Sequence, residues 1–79
     1  MFYVYILNSL LDPNRMYVGG TNSLDHRLLE HNAGESVHTS KYKPWKLMTS
    51  VCFDSKEKAI AFERYLKSGS GRSFAKRHL

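Results

Sequence analysis

Tyr5, Tyr17, Arg27, His31 and Glu63 are the residues of this chain whose types and order could do chemistry together. The two tyrosines sit in short apolar runs, Tyr3-Val4-Tyr5 and Tyr17-Val18-Gly19-Gly20. On neighbouring strands such a pair presents two ionisable phenol oxygens at one place. The glycines let a ligand or a following helix come close to the backbone. Taken alone, Tyr and Val also simply favour strands. Arg27 and His31 are four residues apart, hence neighbours on one helical stripe, where a surface pair on a polar face is the plainer alternative. Glu63 falls on the apolar stripe made by Ala59, Phe62 and Leu66. A carboxylate there is costly to desolvate unless it is paired or binds a cation; the alternative is a boundary residue bonded to an arginine.

Other chemistries fit the residues less well. His26, His31, His38, His78 and Cys52 lack the close paired spacings of zinc sites. Ser68-Gly69-Ser70-Gly71 follows a helix rather than a strand, unlike a P-loop. Cys52 lies mid-strand, where it reads as core rather than nucleophile. One carboxylate, completed by water and phosphate oxygens, suits Mg²⁺ (or Mn²⁺). With an arginine to stabilise charge and a phenolate or histidine to activate water, such a set can hydrolyse a phosphodiester.

The elements that must hold these groups follow from pattern. Residues 2–8 read as a strand with Tyr3, Tyr5 and Leu7 on one face. Asp12-Pro13-Asn14 marks a turn, and residues 15–19 a second, antiparallel strand. Asn22 with Asp25 resembles a capping box for a helix that runs to about Asn32 and stops at Gly34. Leu24, Leu28 and, at the edge, Leu29 are its apolar positions. Gly34 to Lys43 reads as polar loop, and residues 46–53 as a third strand that alternates less cleanly. Asp54 or Ser55 caps a second helix, with Asp54 and Glu57 at box spacing. Ser68-Gly69-Ser70-Gly71 ends that helix, and a short basic helix from Arg72 to His78 follows, anchored by Phe74. The expectation is one domain over residues 1–79, in the order β-β-α-β-α-α.

Composition narrows the partners. The net charge of +5 resides entirely in residues 56–79, which hold seven Lys or Arg against Glu57 and Glu63. That concentration suggests a polyanion, with nucleic acid favoured, though a solvated lysine-rich helix is the alternative. No apolar run approaches the roughly 20 residues of a membrane span. The single cysteine excludes an internal disulfide, and the N-terminus lacks the pattern of a signal peptide, so a cytoplasmic protein is expected.

The ordered series Tyr3-Val4-Tyr5, Tyr17-Val18-Gly19, Arg27, His31 and Glu63 resembles the GIY-YIG nuclease superfamily over nearly the whole chain. The likeness is to small stand-alone members, themselves similar to the catalytic module of the UvrC repair nuclease. It implies an α/β (α+β) fold with a small three-stranded antiparallel sheet flanked by helices. By the same resemblance Tyr5 activates the attacking water, Tyr17 assists at the phosphate, Arg27 steadies the transition state, His31 tunes the tyrosine, and Glu63 is the sole protein ligand of the metal. Gly19 is the structural glycine of the site. A phenol titrates near ~10, so as a base at neutral pH Tyr5 must be perturbed by metal or cationic neighbours. Departures are Tyr3 in place of the family glycine and Val4 and Val18 in place of isoleucine, and no attached DNA-recognition domain is expected.

The expected function is therefore metal-dependent endonuclease action on DNA, in repair or recombination, with Lys67, Arg72, Lys76 and Arg77 contacting nucleic acid. A protein partner or a dimer could supply targeting. The alternatives are a non-catalytic nucleic-acid binder and a partner-dependent adaptor.

Overall fold

The computed structural model describes residues 1–79. In chain order they form β1 (Phe2–Ser9), β2 (Met16–Thr21), α1 (Leu24–Asn32), β3 (Trp45–Phe53), α2 (Lys56–Leu66) and α3 (Gly69–His78), with a short 3-10 turn over Ser40–Tyr42. The expected element order and α+β class are both found. The sheet is antiparallel, in the order β2-β1-β3. β1 takes the centre because it alone is apolar on both faces, with Val4, Tyr5, Ile6 and Leu7 all buried. Val4 and Ile6 pack with Ala59 and Leu66 under α2 and α3; Tyr5 and Leu7 pack with Trp45, against Leu24 and Leu28 of α1. Burial of each large side chain stabilises by about 1.5–3 kcal/mol, so both faces of the sheet need their helices.

β3 alternates cleanly, contrary to the sequence expectation, from buried Trp45 through half-buried Leu47, Thr49, Val51 and Phe53. The pattern serves two faces because a bulge shifts the register: Ile6 pairs with Thr49 but Leu7 with Leu47. Trp45 and Leu47 thus join the α1 side, while Phe53 joins the α2 side. Cys52, expected in the core, is exposed, since it falls on the outward alternation with Met48 and Ser50.

Strand β2 runs two residues beyond its expected end, because Gly20 and Thr21 still pair with Val4 and Tyr3. The Asn22–Asp25 capping box does not form. Ser23 is the N-cap without a side-chain bond, and Thr21 Oγ1 instead accepts the Ser23 N–H at 3.0 Å. Helix α1 ends as expected before Gly34, whose φ of 79° needs glycine. Asn32 then fastens α1 to β3, its Oδ1 accepting the Trp45 N–H at 2.6 Å and its Nδ2 donating to the Trp45 carbonyl at 3.2 Å. For α2 it is Ser55, not an Asp54–Glu57 box, that caps, accepting from Lys58 N–H at 3.3 Å.

The segment read as a stop, Ser68-Gly69-Ser70-Gly71, is the N-cap and first turn of α3. Ser68 Oγ accepts the Gly71 N–H at 3.1 Å. Gly71 is buried against the end of α2, where any Cβ would collide with the Tyr65 carbonyl. Its small size, which looked like a helix breaker, is what allows the two helices to abut. No helix is long and apolar enough to cross a membrane.

Candidate active site

Four of the five expected residues meet on the α1 face of the sheet. Tyr5 is 2% exposed and His31 is fully buried. Their polar atoms, Tyr5 Oη and His31 Nε2, lie 2.9 Å apart. The Tyr17 ring completes the cluster, 6.3 Å from Tyr5 and 5.0 Å from His31 between centroids. Local pattern explains the placement of His31. Leu24, Leu28 and His31 are spaced by four and three residues, so His31 completes the inward stripe rather than bordering it. Leu29, expected at the edge of that stripe, is 69% exposed.

Arg27 borders the same cluster. One guanidinium nitrogen reaches Glu30 Oε1 at 3.4 Å, a long contact, and the charge also acts on the Tyr5 oxygen. Burial pushes the Tyr5 phenol above its ordinary value, Arg27 pulls it down, and neighbouring Tyr17 pushes it up again. Desolvation wins. In the protein alone the phenolate is therefore disfavoured, with Arg27 the cationic neighbour that opposes the burial. Burial, reinforced by the positive charge of Arg27, also holds His31 below the usual histidine range, so its ring is neutral at neutral pH.

Glu63 reaches the site from the other face. It sits on α2 between buried Ala59 and Leu66, with its side chain 28% exposed. Its partner is Lys67, not an arginine: Nζ lies 2.9 Å from Oε2. The other oxygen is aimed at β2, where a Cβ on Gly20 would stand 2.6 Å from Oε1. One residue earlier, a Cβ on Gly19 would stand 2.5 Å from the Tyr5 hydroxyl. Because side chains alternate across a strand, the two glycines bare opposite faces of an edge strand. The phenol comes up against one face and the carboxylate against the other. Glu63 also lines a cleft of about 280 Å³ with Tyr3, Gly20 and Lys56.

A divalent cation fits this carboxylate. No cluster of three or more His, Cys, Asp or Glu side chains is present that could enclose an ion. The donor set is a single carboxylate that already holds one cation, the Lys67 ammonium, and opens into a cleft. Mg²⁺ and Mn²⁺ accept such sites, since they keep most of their waters.

Of the expected nucleic-acid contacts, Lys67, Arg72 and Lys76 line a second cleft of about 580 Å³ between β2 and α3, which Tyr17 also lines. Arg15 joins them there, and no Asp or Glu lines that cleft. Arg77 is exposed on α3 but is not part of it. Gly20 bears out the close approach expected of the Gly19-Gly20 pair, here by a helix carboxylate. Sequence reasoning missed Arg15 and Thr39; Thr39, whose hydroxyl oxygen lies 2.7 Å from His31 Nδ1, sits in an aperiodic loop that gave no signal.

Comparison with known proteins agrees with this architecture. The chain belongs to the GIY-YIG family: the model of the GIY-YIG catalytic domain matches residues 1–77. Among its relatives is a UPF0213 protein of Haloquadratum walsbyi, 36% identical over 67 residues, covering 84% of this chain and 73% of that protein. UPF0213 protein YsiG of Lactococcus lactis is 36% identical over 67 residues, covering 84% of this chain and 62% of its own length. The structure-specific endonuclease subunit SLX1 homolog of Giardia intestinalis is 37% identical over 65 residues, 77% of this chain but 18% of that protein. The chain thus spans most of the Haloquadratum relative, less than two thirds of the Lactococcus one, and under a fifth of the Giardia one.

Proposed function

We propose that this chain is a metal-dependent endonuclease that hydrolyses DNA phosphodiester bonds. The observation that carries the reading is the convergence of the Tyr5 phenol and the Glu63 carboxylate on opposite faces of the Gly19-Gly20 stretch. A protein that only binds nucleic acid has no use for a buried phenol–imidazole pair beside an arginine. The endonuclease name of the Giardia relative supports the same reading.

Glu63 would hold the cation, which when bound neutralises charge on the scissile phosphate. Tyr5, as phenolate, accepts a proton from water while the water oxygen bonds to phosphorus. The phosphorus–oxygen ester bond breaks, and the departing oxygen takes a proton from solvent. Arg27 stabilises the negative charge that builds on the phosphoryl group. Tyr17 faces the same space and orients the phosphate. His31 holds the Tyr5 oxygen in place.

The cleft lined by Arg15, Lys67, Arg72 and Lys76 provides the phosphate-binding track that leads to Tyr17. Repair or recombination is the setting such a nuclease suits, with a cytoplasmic location. The word subunit in the name of the Giardia relative favours a partner that chooses the site.

The test is nicking of supercoiled plasmid with Mg²⁺ or Mn²⁺ by the wild type, Glu63→Ala and Tyr5→Phe, each shown to be folded. Nicking by the wild type, stopped by EDTA and lost in both variants, supports the reading. Wild-type protein that binds plasmid, flap and single-stranded DNA yet cuts none of them makes this chain a binder. Metal binding has its own readout: Mg²⁺ raises the thermal midpoint of the wild type and not that of Glu63→Ala.

A further inference from the structure

We propose that Lys67 competes with the divalent cation for Glu63 and, once displaced, becomes a phosphate contact in the β2–α3 cleft. Lys67 thereby couples metal binding to DNA binding. This rests on the reading of Glu63 as the metal ligand and deepens it. Lys67 Nζ lies 2.9 Å from Glu63 Oε2, and no other cationic side chain pairs with that carboxylate. The two partners belong to different clefts. Glu63 lines the one beside Gly20, whereas Lys67 lines the larger one that also holds Arg15, Arg72 and Lys76. One ammonium therefore stands between two anions, the carboxylate on one side and a bound phosphate on the other.

Charge decides which anion it serves. Glu63 stands near the C-terminal end of α2, between buried Ala59 and Leu66, where helix dipole and partial burial both disfavour a carboxylate. The Lys67 ammonium offsets those costs. A dication on the same carboxylate offsets them more fully and repels the ammonium beside it. Lys67 is able to leave, because its side chain is 52% exposed and is a flexible stem ending in three donors. The β2–α3 cleft is lined by three other cations and by no Asp or Glu, so a phosphate is the counter-ion it finds there. Displacement removes a positive charge from the metal ligand and frees it for the phosphate track. By linkage, DNA tightens metal binding by the same factor as the metal tightens DNA binding.

The experiment measures both affinities in a Tyr5→Phe parent, which keeps the DNA intact, with every variant shown to be folded by thermal melting. Mn²⁺ binding is read from the electron paramagnetic resonance of the free ion, and DNA binding from the fluorescence anisotropy of a short duplex. Lys67→Met keeps the stem and removes the charge. It is expected to bind Mn²⁺ about two- to fivefold more tightly than the parent, the worth of an exposed ion pair. It binds DNA more weakly, and the loss is greater with saturating Mn²⁺ than without, by up to the same factor. Arg64→Met, which removes a charge from the adjacent exposed position of α2, should show neither effect. Mn²⁺ affinity unchanged by Lys67→Met, or raised equally by Arg64→Met, overturns the proposal, as does a DNA penalty indifferent to Mn²⁺. Glu63→Ala separates the two readings. If it abolishes Mn²⁺ binding while Lys67→Met changes nothing, the metal site stands and the coupling falls; if it binds Mn²⁺ like the parent, both fall. None of these readouts needs cleavage, so an inactive chain would sink the nuclease reading alone.

Discussion

Tyr5 and Gly19 are Cα partners across β1 and β2, and a methyl group on Gly19 would lie 2.5 Å from the Tyr5 hydroxyl and 2.9 Å from the Tyr17 ring. The phenol has no room to withdraw, because its ring is buried and its oxygen is engaged by His31. Glycine is needed here for closeness of approach and not for backbone dihedral, since the only glycine at positive φ is Gly34.

Gly19→Ala is therefore expected to cost both activity and stability. Overpacking of this kind destabilises by about 1–3 kcal/mol, and displacement of the phenol should lower nicking tenfold or more, by about the factor expected of misplaced catalytic groups. Thermal denaturation and single-turnover nicking measure the two effects separately. A variant with wild-type rate would show that the tyrosine pair has slack and that its closeness to β2 is incidental.

Nicking should quicken with pH. Burial raises the Tyr5 pKa, so the phenolate is a minor species at neutral pH, and the rate should climb up to tenfold per unit through the mildly alkaline range. A rate that is flat from about pH 7 to 9 would remove Tyr5 from the role of base.

Stability should respond to acid through His31. Its folded pKa lies below its ordinary value because burial disfavours the imidazolium. Between the two values the unfolded chain binds more protons, so this contribution is full above about pH 6.5 and is lost as pH falls through the folded value. Urea midpoints across that interval should drop for the wild type and drop less for His31→Gln. Parallel curves would place the acid sensitivity elsewhere.

Salt should weaken DNA binding steeply, and two cations of the β2–α3 cleft should account for a defined part of that effect. Arg72→Gln with Lys76→Gln is expected to flatten the log–log salt slope by about 1.4–1.8, the release of two phosphate counterions. Arg77, outside the cleft, should matter less when changed to Gln. Fluorescence anisotropy on a short oligonucleotide decides it, and equal effects of the two changes would argue for diffuse attraction by the whole basic surface.

The elements and their order were legible in the sequence because their signals are local. Apolar, aromatic and β-branched runs gave the strands, Asp12-Pro13-Asn14 the hairpin turn, Gly34 the end of α1, and the Ala59–Phe62–Leu66 stripe carried Glu63 with it. Tyr5, Tyr17, Arg27, His31 and Glu63 could be named because each stands at a readable place on such an element. Pairing across space was not readable. That Gly20 faces Glu63 depends on β2 continuing past Gly19, which only its ladder with β1 decides. The exposure of Cys52 depends on how β3 sits against β1, and the sharing of its inward residues between two faces depends on the bulge. Ser68-Gly69-Ser70-Gly71 has the composition of a stop, yet becomes helix because Gly71 permits α3 to press on the end of α2. Thr39 meets His31 only once a polar loop closes over α1. Local propensity fixes which segments fold regularly; tertiary packing fixes which atoms meet.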